Sequence, residues 1–227
     1  MVSSQMISRR DYLAMLVGVL AAPVCWSQKL PAASAVGQKS GEAAPKVEVK
    51  STLENLMAAY HGESNAQARY LAFAKKADEE GYGAVASLFR AASRAESILA
   101  RNHAKVIKAM GGAPKAELKA SEVKPTKENL QASLAGENFE WKTMYPAFLK
   151  KAREDKNRNA IRTFNFAIAV ESGHAKLYRE ALNNLETWKG GPKVFFVCNV
   201  CGNTVPSIDF KKCPVCMESR KEYVKVI

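Results

Sequence analysis

From Ser51 onward apolar residues recur every three to four positions, beginning Leu53, Leu56, Met57 and Tyr60, which marks an amphipathic helix. Ser51 with Glu54 three residues later supplies a capping box for its first turn. The same periodicity runs through four segments and predicts helices near 51–80, 83–110, 126–154 and 157–187. Gly81 and Gly83 break the first pair, while Gly111, Gly112, Pro114 and Pro125 mark a longer connection before the third helix. Connections that run short, long, short describe a mainly α four-helix bundle with one long crossover.

The bundle reads as one helix pair used twice. Tyr70, Phe73, Lys75, Lys76 and Ala77 match Tyr145, Phe148, Lys150, Lys151 and Ala152 at an offset of 75, and Phe89, Ala92 and Glu96 match Phe164, Ala167 and Glu171 at the same offset. Gly62-Glu63 matches Gly136-Glu137 at an offset of 74. Each helix therefore carries one mid-length glutamate among Ala, Val, Phe and Leu.

A carboxylate placed there costs several kcal/mol unless it is paired, protonated or bound to metal. Glu63, Glu96, Glu137 and Glu171 together call for a shared cation. Glu140, three residues after Glu137, and His174, three after Glu171, lie one turn along the same faces and add two more ligand-type residues. A Glu-x-x-His turn opposite single-glutamate helices is the pattern of di-iron carboxylate bundles, and this donor set suits iron or manganese. His61 falls on another face and is expected to be exposed. His103, two turns beyond Glu96, is expected at the surface or supporting the ligands. Trp141, Trp188 and the methionines read as packing.

Cys198-Asn-Val-Cys201 and Cys213-Pro-Val-Cys216 form two C-x-x-C knuckles separated by eleven residues, able to present four thiolates to one tetrahedral ion. Spacing alone leaves iron and zinc open. Phe195, Phe196, Val197, Val200 and Val215 are expected to screen the sulfurs, and the final segment from Tyr223 to Ile227 can close a small sheet.

With these motifs in view, residues 51–227 resemble the rubrerythrins, which join a ferritin-like di-iron bundle to a rubredoxin-like domain. The resemblance rests on Gly62-Glu63-Ser64, Ala95-Glu96, Gly136-Glu137-Asn138-Phe139-Glu140, Met144-Tyr145-Pro146, Glu171-Ser172-Gly173-His174-Ala175 and the cysteine knuckles. It implies a di-iron site on Glu63, Glu96, Glu137, Glu140, Glu171 and His174, with Glu96 and Glu171 bridging. It also implies hydrogen bonds from Tyr70 and Tyr145 to the ligands, and iron rather than zinc on Cys198, Cys201, Cys213 and Cys216. Two positions depart from the family pattern. Leu99 stands where the family, and the repeat, expect a second histidine, which bears on a redox-linked movement of one iron toward Glu140. Met217 stands where the family has a glycine, which bears on the N–H···S bonds of the second knuckle.

The activity implied is reduction of hydrogen peroxide to water, with electrons relayed through the tetrathiolate iron from an electron-donor protein or reductase. Family members form homodimers. The alternative is a ferritin-like ferroxidase or iron-handling protein, in which the thiolate site is structural or vestigial.

Composition and the N-terminus adjust this picture. The 227 residues are 47% hydrophobic and 25% charged, which excludes a disordered or fibrous chain, and five cysteines are too few for a disulfide scaffold of this length. The formal net charge of +12 raises the question of a nucleic-acid or anionic-membrane partner. A basic zinc-ribbon module for nucleic acid would leave the buried acids unexplained, so no nucleic-acid partner is expected. Ser8-Arg9-Arg10-Asp11-Tyr12-Leu13 precedes an apolar run to Val24 that is too short to span a bilayer and is similar to a twin-arginine export signal. Ala33-Ser34-Ala35 offers a cleavage site, whereas Ala22-Pro23-Val24 before Cys25 makes a poor lipidation box. The expected organisation is a signal peptide over 1–35, a linker over 36–50, the bundle over 51–188 and the rubredoxin-like domain over 193–227. The expected location is the periplasm, with no stable membrane anchor.

Overall fold

The computed structural model describes residues 47–227. The arginine pair, the apolar run, Cys25, the cleavage candidate and most of the linker lie outside the described residues. Five helices make four rods: α1 (Thr52–Glu79), α2 (Gly83–Ala109), a third rod of α3 (Thr126–Phe139) and α4 (Tyr145–Glu154), and α5 (Arg158–Asn183). The fold is mainly α and ferritin-like, with a small three-stranded sheet at its C-terminal end. Among the described residues no helix is long and apolar enough to cross a membrane.

The caps follow from the sequence. The Ser51 hydroxyl accepts from the Glu54 N–H while the Glu54 carboxylate takes the Ser51 N–H, closing the capping box. Asn157 caps α5 through the Ala160 N–H. The repeat extends to the approach of each half: Asn55 clasps both backbone groups of Lys50, and Asn129, 74 positions later, clasps those of Lys124. Core rings repeat likewise, with Tyr70, Phe73 and Phe89 packed together in one half and Tyr145, Phe148 and Phe164 in the other.

Two expectations are corrected here. The third rod is not one uniform α-helix, because Glu140–Met144 forms a π-helical segment. Pro146 explains it: proline has no N–H to give the carbonyl four residues back, and its ring collides with that carbonyl, so the turn before it widens. The fourth rod ends at Asn183, and Leu185–Trp188 is a separate 3-10 turn.

The strands are β1 (Phe195–Cys198), β2 (Thr204–Val205) and β3 (Tyr223–Val226), antiparallel in the order β2-β1-β3. Alternation along β1 splits its residues between two clusters. Phe195 and Val197 join the helical core, and Phe196 packs beside the cysteines, so only part of the expected apolar screen faces sulfur. The sheet is held to α2 by a polar stripe. Arg90 donates to the Ile227 carbonyl, Arg94 to the Asn199 side chain, Arg101 to the Asn199 carbonyl and Asn102 to the Val200 carbonyl.

Candidate metal centres

The four rods bring their glutamates together. Glu96, Glu137, Glu171 and His174 offer ligand atoms that all lie within 4.8 Å of one another, and Glu63, Glu140 and Glu171 form a second such group. Glu171 belongs to both groups, as a bridging ligand must. Glu63, Glu96 and Glu137 are 1% exposed, Glu171 and His174 are fully buried, and Glu140 is partly buried at the margin.

The electrostatics of this cluster are those of a site built for cations. Burial, and then the charges of neighbouring glutamates, hold the carboxyls of Glu63, Glu140 and Glu171 well above the usual carboxylate range. Burial raises Glu137 as well, opposed by His174 and by the Tyr70 hydroxyl, which donates to Glu137 Oε1 at 2.5 Å. Tyr145 donates to Glu63 Oε1 in the mirrored arrangement. Each tyrosine thus serves the glutamate of the opposite half. Five carboxylate oxygens, Glu63 Oε2, both of Glu96, Glu137 Oε2 and Glu171 Oε1, are buried without a hydrogen-bond partner. Acceptors so placed fit two hard or borderline cations in a mostly oxygen donor set, as iron or manganese requires.

His174 faces two ways. Its Nδ1 lies 3.1 Å from Glu171 Oε2 and 3.3 Å from Glu96 Oε1, on the ligand side. Burial depresses its pKa, but the neighbouring Glu96 carboxylate outweighs that and leaves it raised. Its Nε2 lies 3.2 Å from the Thr204 hydroxyl at the start of β2. A residue of the cysteine module therefore fixes the ring of a bundle ligand. Leu99, the repeat counterpart of His174, is fully buried in the hydrophobic core, so the group of Glu63, Glu140 and Glu171 has no histidine.

The cysteine site is equally compact. Cys198 Sγ is 3.7 Å from Cys216 Sγ and Cys201 Sγ is 3.6 Å from Cys213 Sγ, with all four sulfurs within 4.8 Å of one another. A tetrahedral ion about 2.3 Å from each sulfur needs edges of about 3.8 Å. A hydrogen bond from Cys201, aided by the N–H groups of Cys201 and Val200, pulls the Cys198 thiol down to about 5, and burial pushes Cys216 up to about 12. Met217 adopts φ +64 where Gly202 adopts +88 after the first knuckle, and the Glu218 N–H still points at the Cys216 sulfur. The second knuckle thus keeps its N–H···S bond without the glycine. Tyr223 donates a further hydrogen bond to Cys213 at 3.1 Å.

The rubrerythrin family model matches residues 54–182. The chain belongs to the rubrerythrin family. It is 38% identical over 179 residues to nigerythrin of Nitratidesulfovibrio vulgaris (strain Hildenborough), covering 78% of this chain and 88% of that protein. It is 34% identical over 173 residues to rubrerythrin-2 of Clostridium acetobutylicum, covering 73% and 91%. The structure of nigerythrin in its fully reduced, all-ferrous state superimposes with a TM-score of 0.74 at 37% identity, over 81% of this chain and 90% of that one. A bacterioferritin of Desulfovibrio desulfuricans shares the fold at a TM-score of 0.57 and 23% identity, over 62% and 88%.

Two residues beside the carboxylate cluster, His103 and Thr204, are not legible from the metal-ligand pattern. His103 takes the second of its two expected places: it is fully buried behind a ligand's partner, with Nε2 3.3 Å from the Tyr145 hydroxyl and Nδ1 3.1 Å from the Thr163 hydroxyl. The repeat carries a signal for it, since its counterpart 75 positions later is Tyr178, which packs against Tyr70. Thr204 has no such signal, because its contact joins two modules that share no periodicity. His61 is partly buried, and Asn65 donates to its backbone carbonyl.

Proposed function

We propose that this protein is a non-haem di-iron peroxidase that reduces hydrogen peroxide to water, with its tetrathiolate site as the internal electron store. Iron bound at the two sites would supply the electrons: one from each ion of the pair to the peroxide, and single electrons from the tetrathiolate ion to restore the pair. Glu63, Glu96, Glu137, Glu140, Glu171 and His174 would hold the pair, and Cys198, Cys201, Cys213 and Cys216 would hold the relay ion. Tyr70 and Tyr145 steady Glu137 and Glu63 by donating to one oxygen of each, leaving the other oxygen for metal. The N–H groups aimed at the cysteine sulfurs favour thiolates there.

The observation that carries this reading is the His174 to Thr204 hydrogen bond, which sets the thiolate module directly on a ligand of the carboxylate cluster. A purely iron-storing bundle has no use for that contact. Anaerobic stopped-flow mixing of the fully reduced protein decides between the two. Oxidation by peroxide that is much faster than oxidation by oxygen supports the peroxidase, and the reverse ranking supports the ferroxidase alternative. An external reductase or electron-carrier protein and a homodimer complete the proposal.

We place the enzyme in the periplasm on the strength of Arg9-Arg10 and the apolar run behind it. Fusion of residues 1–50 to a reporter that is active only after export tests this. Replacing both arginines with lysine should abolish export.

A further inference from the structure

Two clefts open beside the cysteine module, and every charged residue that lines them is basic. The first, of about 420 Å³, lies between α2, α5 and the first knuckle. The second, of about 580 Å³, lies between α5 and the second knuckle, and the two share Arg162 and Phe166. Arg101 and Lys105 of α2 line the first, Arg158 joins Arg162 of α5 in the second, and no aspartate or glutamate lines either. Among the described residues these four cations enter no ion pair, whereas Lys76, Arg90 and Lys151 are answered by Glu80, Asp78 and Asp155. Each helix contributes its two at a spacing of four, so like charges stand one turn apart and repel. The helices gain no stability from that arrangement.

The middle of this face is apolar and lies against the sulfurs. Val200 and Val215 sit inside the two C-x-x-C turns, pack beside the cysteines and each line a cleft. The Val200 N–H donates to the Cys198 sulfur, and Cys216 is itself partly exposed. A molecule seated on these valines is one residue away from the tetrathiolate ligands. Arg101 and Asn102 fix the first knuckle by donating to the Asn199 and Val200 carbonyls, and the Arg162 guanidinium lies 5.3 Å above the Phe166 ring. An apolar centre flanked by charge is the anatomy of a small protein–protein contact.

We propose that this face is the docking surface for an acidic one-electron carrier protein, which meets the four cations with carboxylates and sets its redox group against the knuckle tips. This rests on the relay role given above to the tetrathiolate ion. In each encounter the carrier gives up one electron and the ion goes from ferric to ferrous, so two encounters supply the two electrons that one peroxide consumes. Opposite charges speed such encounters, and salt screens them. A second copy of this chain, itself at +12, would bring net positive charge to a positive face.

Flavodoxin, a small acidic one-electron flavoprotein, serves as the probe, with the full-length chain throughout. Mixed anaerobically with flavodoxin hydroquinone, the oxidised iron-loaded protein should lose its ferric tetrathiolate absorption at a second-order rate that falls at least tenfold from low salt to about 0.5 M salt. Lys105→Glu with Arg162→Glu should slow this reduction at least tenfold. The same pair should weaken binding of oxidised flavodoxin to the redox-silent zinc-loaded chain at least tenfold by titration calorimetry. Lys105→Gln with Arg162→Gln should fall between, which keeps the test open if charge reversal prevents folding. Lys75→Glu with Lys150→Glu makes the same charge change on exposed residues outside both clefts and should alter either value less than threefold. Photoreduced lumiflavin, small and uncharged, should reduce every variant at one rate.

Salt-independent reduction, no measurable binding, or a Lys105 and Arg162 reversal no slower than the Lys75 and Lys150 reversal overturns the docking face. Dissociation of a dimer by the Lys105 and Arg162 reversal, read by sedimentation velocity, assigns the face to a second copy and overturns it too. Failure of flavodoxin and lumiflavin alike to reduce the tetrathiolate ion overturns the relay reading instead, and the calorimetry still reports whether the face takes an acidic protein.

Discussion

His174 Nε2 and the Thr204 hydroxyl, 3.2 Å apart, join a ligand of the carboxylate cluster to the strand that follows the first cysteine knuckle. Thr204 in turn donates to the Gly202 carbonyl at 3.0 Å, one residue from Cys201. Thr204→Val keeps the shape of the side chain and removes the hydroxyl. It leaves a buried imidazole N–H unpaired, at a cost of about 1–3 kcal/mol. The expected result is slower return of electrons from the tetrathiolate site, with the first oxidation of the reduced pair by peroxide unchanged. Two-wavelength stopped-flow separates the two phases.

Gly202 packs closely against α2. Its φ is +88, and a Cβ there would sit 3.2 Å from the Ala95 carbonyl, one residue from Glu96. Gly202→Ala should lower the thermal midpoint by an amount matching about 1–2 kcal/mol, combining backbone strain with the displaced contact. It should also slow electron return as Thr204→Val does, because both loosen the same contact. A melting curve and the stopped-flow phases check this.

Met217 holds a left-handed φ of +64 with a side chain exposed to solvent, so its strain is not offset by packing. Met217→Gly should leave the iron–thiolate absorption unchanged and raise stability by up to about 1 kcal/mol, the lost strain exceeding the entropy of a freer unfolded chain. Chemical denaturation of the two proteins side by side gives the difference.

Stability of the metal-free protein should fall as pH rises. The folded-state pKa values of Glu63, Glu137, Glu140 and Glu171 lie above those of exposed glutamates, so the folded chain binds more protons than the unfolded one. The stabilisation is complete below the unfolded value near 4.3 and is lost as pH climbs through the raised folded values. Bound metal replaces those protons and reverses the trend. Denaturant midpoints of the metal-free and iron-loaded forms between pH 5 and 8 should therefore run in opposite directions.

The sequence reveals what periodicity and spacing can encode. Glu63, Glu96, Glu137 and Glu171 stand out because the repeat places them at matching depths on apolar faces, and the cysteine knuckles because their spacing is rarely met for another reason. The π-helical turn was within reach, since Pro146 forces it. His103 was harder: a lone histidine two turns from a ligand gives no sign of burial until the rods are packed and Tyr145 and Thr163 meet it. Thr204 was beyond reach, because its position against His174 depends on how the sheet docks on α2.

In the proposed reaction two irons among the carboxylates react with peroxide first and are then restored from a third iron on the cysteines. Rapid-freeze Mössbauer spectroscopy of fully reduced ⁵⁷Fe-loaded protein, mixed anaerobically with one equivalent of hydrogen peroxide, tests it most directly. The expected result is loss of a ferrous pair in oxygen-rich coordination at the earliest times, then oxidation of a ferrous tetrathiolate ion. Oxidation of the tetrathiolate ion while the pair stays ferrous, or absence of a pair in the loaded protein, would contradict it.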